Sequence, residues 1–367
     1  MADDPTGARS GVLPSQALRA LIADGALAAP LPFEPDQIQP ASIDLRLGRR
    51  AWRVRASFLP GAARSVAERL SDFAMHEIDL GVGAVLETGC VYVVELMEQL
   101  SLPADVSGAA NAKSSTGRLD LFTRVITDRG VEFDRAPAGY AGPLYAEISP
   151  RTFSVLARAG ARLTQLRLRR GAASLSDAAL GAMQRDLALV SGDALIDGGV
   201  AFSVDLSAPE GKHCGWRARP HSALIDLDRL GHYDPAEFWD PVRPDRTGSL
   251  ILDPGAFYIL VSREAVHVPP DVAAEMAPYM AVAGEFRVHY AGFFDPGFGH
   301  GPAGGAGARG VLEVRCHEAP FALEHGQVVG RLVYEPMLER PDILYGRDVP
   351  SNYQGQGLRL SKHFRQV

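Results

Sequence analysis

VLETGCVYVVELMEQLSLPADV (85–106), set above ILDPGAFYILVSREAVHVPPDV (251–272), decides how the chain is organised. Gly89 falls on Gly255, Tyr92 on Tyr258, Glu98 on Glu264, Pro103 on Pro269 and Asp105 on Asp271, each pair 166 positions apart. Glu147 and Glu313, Gly160 and Gly326, and Leu166 and Leu332 keep the same spacing. ASIDL (41–45) and FSVDL (202–206) match at 161, a difference that a few inserted residues explain. Matching blocks in one order mark an internal duplication, and such a repeat has to be read before any single element.

Each copy reads as short strands between turns. Val91–Leu96 and Phe257–Val261 are β-branched and aromatic runs, each after a glycine turn. Ala157–Gly160 and Glu324–Gly326 read as hairpin turns into Leu163–Leu168 and Val328–Tyr334. Helix signals are few: Pro14–Asp24, with Leu18, Leu21 and Ile22 on one stripe, and Ser174–Leu189, with Ser176 and Asp177 at its start. The expected fold is mainly β, two tandem barrels or sandwiches of short strands with a few short helices. Residues 1–175 and 199–367 are the expected domains, with 176–198 a linker that carries a helix.

At 367 residues, 46% hydrophobic and 22% charged, the chain has the composition of a globular protein with a buried core. A net charge of −7 argues against a nucleic-acid coat or a membrane-surface protein, which need a basic field. A small polyanion remains an acceptable ligand, because a pocket on an acidic protein can be locally basic. Cys90, Cys214 and Cys316 are an odd, scattered set, as expected of reduced thiols. The opening MADDPTGARSG lacks the basic and apolar segments of a signal peptide, and no apolar run reaches the ~18 residues of a membrane span. The expected location is the cytoplasm.

Four stretches carry candidate chemistry. Lys113-Ser114-Ser115-Thr116-Gly117-Arg118 gathers two cations, three hydroxyls and a glycine, a composition suited to polyphosphate; it equally suits a solvated turn that opens a helix. Its counterpart Tyr279-Met280-Ala281 has no such hydroxyl set. Glu147 and its repeat mate Glu313 sit among apolar residues on predicted strands, either facing outward or buried with a raised affinity for protons. Gly292–Gly299 holds Asp295-Pro296-Gly297 between aromatics, a tight turn able to grip a base or sugar, or a plain hairpin corner. The tail from Tyr345 through Asn352 to Gln356-Gly357 reads as a flap over a ligand or as a frayed end. Neither the spacing of a zinc deaminase nor a serine nucleophile elbow is present.

Together, Gln39-Pro40-Ala41-Ser42-Ile43-Asp44-Leu45-Arg46-Leu47-Gly48, the Lys-Ser-Ser-x-x-Arg turn and Gly139-Tyr140-Ala141-Gly142 leading to Glu147 resemble the deoxycytidine triphosphate deaminases, which belong with the trimeric deoxyuridine triphosphatases. The tail resembles that family's nucleotide-covering C-terminus, and the whole chain resembles its long, duplicated bacterial form. The resemblance implies two dUTPase-like domains and hydrolysis of dCTP to dUTP and ammonia without zinc. A glutamate, Glu147 or Glu313, would be general base, with Ser114, Ser115 and Arg118 holding phosphates and organising the water, and Lys113 beside them at the substrate. Asp295, Tyr345, Asn352 and Gln356 would contact the nucleotide. Mg²⁺ would ride on the triphosphate, dTTP is an expected inhibitor, and a trimer or multiple of three is the expected assembly.

Three departures qualify this. Lys113 stands where the family has an arginine, and Asn352 where it has a lysine. Extra residues Gly130–Ala138 leave Arg129 and Arg135 competing for one matched arginine. The resemblance leaves open which copy supplies the glutamate, and whether first-copy Ser114, Ser115 and Arg118 work with second-copy Asp295, Glu313 and tail. Two other functions stay open: hydrolysis of dUTP to dUMP and pyrophosphate, alone or with deamination, and a nucleotide-binding trimer without turnover.

Overall fold

The computed structural model describes residues 10–366 apart from 173, 209–211, 279–285, 290–291, 302–306, 317 and 350–352. The chain forms two compact units. The first runs through Ala173 and adds Ala223–His232 and Met337–Asp342; the second holds Ser174–Ser222, Tyr233–Pro336 and Ile343–Val367. Ala223–His232 joins the first unit because Ile225–Asp226 pairs in parallel with Val155–Leu156, and Asp226 takes an ion pair from Arg158 at 2.7 Å. Met337 bridges to Val12.

The fold is mainly β. In the first unit, β1 (Ile43–Val54), β2 (Val91–Ser101), β3 (Val106–Ala112), β4 (Leu121–Thr127), β5 (Ala141–Pro150) and β6 (Arg162–Arg170) lie in the order β4-β5-β2-β1-β6-β3. Strand β1 changes partner along its length: Ile43–Arg46 pairs with β6, and Ala51–Val54 pairs with β2 on one side and with Ala74–Asp79 on the other. The change of partner falls at Gly48, where a Cβ would come within 2.8 Å of the Glu95 carbonyl oxygen. That close approach is why the Leu-Gly after the Ser-Ile-Asp string has to end in glycine.

In the second unit, β7 (Val200–Ser203), β8 (Phe257–Val266), β9 (Val272–Pro278), β10 (Phe286–His289), β11 (Ala308–Cys316) and β12 (Val328–Pro336) form two sheets, one with β7-β12-β9 and one with β8-β11-β10. Strands β8, β9 and β12 begin 166 residues after β2, β3 and β6, so the spacing seen in the letters is the spacing of the strands. The repeated glycines have a backbone reason. Gly89 and Gly255 take φ of 76° and 72°, and Gly160 and Gly326 take 90° and 79°, a region that penalises any Cβ.

Four helices matter here: α1 (Ser15–Ala23), α2 (Val66–Phe73), α3 (Ser114–Gly117) and α4 (Asp177–Leu187). The first and last fall where the apolar stripes predict them, and the Ser176 hydroxyl accepts the Ala179 N–H at 3.3 Å as the cap of α4. Helix α2 is an addition to the sequence reading. Its cap is reciprocal: Glu68 N–H donates to the Ser65 hydroxyl at 3.2 Å and the Ser65 N–H to the Glu68 carboxylate at 2.7 Å. It presses Val66 and Leu70 onto Trp52, Val93, Ile126 and Tyr145, covering one face of the sheet. No helix among the described residues is long and apolar enough to cross a membrane.

A repeated glutamate ties the opening strand of each unit to the strand that carries it, within one sheet in the first unit and between two sheets in the second. Buried Glu98 on β2 accepts the Arg46 N–H and guanidinium, both at 2.8 Å, and the Gln37 amide at 2.7 Å. Its mate Glu264 on β8 accepts the Ser203 N–H at 2.8 Å and hydroxyl at 2.5 Å. Removing one partner of a buried pair strands the other charge, which costs about 3–5 kcal/mol. Glu98→Gln should therefore lower stability by several kcal/mol in urea unfolding. A loss below about 1 kcal/mol would show that the pair does not hold β1 in place.

Candidate active site

Strand β3 ends at Ala112 and the chain turns at Lys113 into α3, whose single turn closes by N–H groups of Thr116 and Gly117 onto the Lys113 carbonyl at 2.8 and 3.0 Å. The turn thus opens a helix, as the plainer reading has it, but it is not solvated. Ser115, Thr116 and Arg118 are buried and Ser114 is half-buried. Lys113 is paired with Asp44 of the Ser-Ile-Asp string, and Asp44 also lies 3.9 Å from Arg162. The lysine charge is answered within the fold, while α3 leads directly into β4.

Strand β4 pairs with β5 so that Arg124 stands opposite Glu147, with Val93 of β2 on the glutamate's other side. Of the two readings for a strand glutamate, burial holds: the Glu147 side chain is 2% exposed. Arg124 donates to Glu147 Oε1 at 2.5 Å and to the Ser57 hydroxyl at 3.0 Å. Its guanidinium carbon lies 3.5 Å from the Phe133 ring centroid and 4.7 Å from that of Phe122, a stacked cation between two aromatic faces. Glu147 Oε2 is buried and has no hydrogen-bond partner among the described residues.

Next to Phe133, Asp134 holds a left-handed backbone with φ of 61°, and its carboxylate accepts the Val125 N–H at 2.7 Å. Burial pushes this carboxyl up to about 7; the Val125 hydrogen bond and the Arg124 charge oppose the rise, and the Glu147 charge adds to it. Burial likewise pushes the Tyr145 phenol, two residues before Glu147, up to about 12. A cavity of about 310 Å³ opens beside Tyr145, edged by Trp52, Arg50, Glu95 and α2 residues Ala67 and Leu70. Arg129 and Arg135 are both exposed; Arg135 lies 3.9 Å from Glu132, and its charge acts on the Asp134 carboxyl.

The second unit gathers a different set. Asp295 is buried in a turn whose Phe298 N–H returns to the Asp295 carbonyl at 3.0 Å. The tail is seated on this turn. The Tyr345 N–H donates to the Pro296 carbonyl at 2.9 Å, and Phe298 lies between Phe294 and Tyr345 at ring distances of 5.1 and 5.8 Å. Gly297, with φ of 102°, lets the chains meet, since a Cβ there would lie 2.7 Å from the Tyr345 oxygen. Gln354 bonds to Gly297 and Gly299 of the turn at 3.2 and 3.1 Å, and buried Gln356 to the Arg309 carbonyl at 3.0 Å. Phe364 is packed among Tyr233, Phe238 and Trp239, so the tail is anchored beyond the nucleotide-contact candidates and is not a frayed end. Glu313 is buried on β11 between Ile259 of β8 and His289 of β10. Asn352 and Tyr279–Ala281 lie outside the described residues.

Among the described residues, no group of three or more histidine, cysteine, aspartate or glutamate side chains is placed to hold a metal ion. The sequence reading therefore reaches Glu147, Ser115 and Arg118 in one unit and Asp295, Tyr345, Gln356 and Glu313 in the other. Arg124 carries no signal of its own in the sequence, and Asp134 is marked there only by lying within the extra residues Gly130–Ala138. A pairing across 23 residues of chain leaves no local pattern, whereas the departure at Gly130–Ala138 does mark the turn that holds Phe133 and Asp134.

Residues 9–172 match the family model of the 2'-deoxycytidine 5'-triphosphate deaminase N-terminal domain, and residues 176–364 that of its C-terminal domain. A solved structure of the 2'-deoxycytidine 5'-triphosphate deaminase from Agrobacterium tumefaciens superposes with a TM-score of 0.87 at 56% identity, over 90% of this chain and 99% of that one. A dUMP-forming dCTP deaminase of Corynebacterium kroppenstedtii is 34% identical over 114 residues, 30% of this chain and 59% of the relative. A dCTP deaminase of Halorubrum lacusprofundi is 28% identical over 148 residues, 40% of this chain and 70% of the relative.

The Asp134 carboxyl gives a pH-dependent stability. Between the ordinary 3.8 and about 7, the folded protein holds a proton that the unfolded chain has released. The contribution is full below about pH 4 and is lost as pH rises through about 7. Asp134→Asn keeps the acceptor for Val125 and removes the titration. The stability of the parent relative to this variant should fall from pH 5 to pH 8, read as urea midpoints; a difference constant with pH would contradict the burial of the charge.

Proposed function

We propose that this chain, which belongs to the 2'-deoxycytidine 5'-triphosphate deaminase family, is an enzyme that hydrolyses dCTP to dUTP and ammonia with Glu147 as general base. The observation that carries this reading is the state of that carboxylate. One oxygen is committed to Arg124, and the other is buried without a partner among the described residues. A buried acceptor left unmatched costs about 1–3 kcal/mol, a cost that a water bound at Oε2 would remove.

Water held there attacks C4 of the cytosine ring. Oε2 takes its proton as the C–O bond forms, and the same proton passes to the 4-amino group as the C–N bond breaks. Atoms balance as dCTP plus water giving dUTP plus ammonia. In this reading Ser114, Ser115 and Arg118 receive the triphosphate, hydroxyls and guanidinium facing its oxygens. Mg²⁺ arrives as part of the substrate, bridging its phosphates.

A second reading has a specific support: the corynebacterial relative is named dUMP-forming. Its test is pyrophosphate in the products. Incubation with dCTP and Mg²⁺ should give dUTP and ammonia in equal amounts, and Glu147→Gln should lower kcat at least about hundredfold. If Glu313→Gln is the inactive variant and Glu147→Gln is not, the base lies in the second unit. Absence of turnover with dCTP would overturn the enzymatic reading.

A further inference from the structure

The reaction assigned above asks Glu147 to be ionised before each turnover and neutral during it, so whatever shares its carboxylate sets the pH range of catalysis. In the first unit that partner is Arg124, bonded to Oε1 at 2.5 Å and stacked between Phe122 and Phe133. In the second unit, the register of β10 with β11 sets His289 opposite Glu313, in the place that Arg124 holds opposite Glu147. The duplicated strands therefore carry different residue types at the position opposite their glutamates. Arginine keeps its charge throughout the working range of pH, and histidine does not.

Resting on the reading of Glu147 as base, we propose that Arg124 is the positioning residue of the first unit's glutamate. It fixes the carboxylate through Oε1 and leaves Oε2 to act on water. Phe133 and Ser57 in turn fix Arg124, one by stacking and the other as acceptor at 3.0 Å. Other charged or titratable groups face the pair. The turn contributes Asp134 and, further out, Arg135, and β5 contributes Tyr145. Arg55 and Arg69 are engaged with Phe73, on the segment that covers this face. Val93, on the third side, is apolar. Arg124 is the cation bonded to the carboxylate, so it is the group whose loss exposes Glu147 to the full effect of burial.

The test is the pH profile of kcat/KM for dCTP in the full-length protein, with Arg124→Gln, Arg124→Lys and Glu147→Gln compared. An opposite charge at this distance lowers a carboxyl by about 1–3 pH units, so its removal should move the acid limb upward by at least about one. Arg124→Gln should then lose about tenfold more activity at pH 5.5 than at pH 9. Arg124→Lys should return the limb toward that of the parent while kcat stays reduced, because lysine keeps charge and loses the planar stack. A merely structural role would lower activity by one factor at every pH, and that result would overturn the proposal while Glu147→Gln remained inactive. Should Glu147→Gln stay active, the reading of Glu147 as base fails, and the assignment of Arg124 fails with it.

Discussion

A carboxylate can be taken into the interior of a sheet only beside a group that answers its charge, and Arg124 is that group for Glu147. Burial without it would cost several kcal/mol or force the glutamate to take a proton. The pair fixes more than itself. It requires β4 and β5 to hold the register that sets the two residues opposite each other. It also requires the turn after β4 to bring Phe133 over the guanidinium, and the segment after β1 to bring Ser57 to its edge. The extra residues Gly130–Ala138 and the helix α2 excursion thus serve the same face of the first unit's sheet.

The two units keep a common frame and carry different candidate residues on it. Both tie the opening strand to the strand that carries a repeated glutamate, Glu98 or Glu264. Both turn at repeated glycines with positive φ. The first unit carries the hydroxyl-rich helix α3 and the arginine-held glutamate. The second carries the Asp295 turn, on which its own tail is already seated, and closes that tail with Phe364 in an aromatic cluster. Deamination of dCTP needs a general base and a triphosphate site, and the first unit has candidates for both within one run from Lys113 to Glu147.

Legibility in the sequence followed the range of the interaction. Duplication, strand positions and the helices Ser15–Ala23 and Asp177–Leu187 were readable because their signals are spacing, turns and apolar periodicity. Helix α2 carried a readable signal, the Ser65-x-x-Glu68 box, but too few turns for its stripe to stand out. Glu147 and the Lys113–Arg118 turn were visible as residue types. Their states were not: Lys113 finds Asp44 across 69 residues, and Arg124 finds Glu147 across 23. A pairing that depends on strand register is set by the whole sheet, so no window of sequence displays it.

The most direct measurement of this account is a crystal structure of Glu147→Gln with dCTP and Mg²⁺ bound. The account predicts the cytosine ring in the first unit, with its C4 one water away from the residue 147 side chain and the triphosphate on Ser114, Ser115 and Arg118. A nucleotide bound with its C4 facing Glu313 and nothing beside residue 147 would contradict it, and would make the Arg124–Glu147 pair a structural ion pair alone.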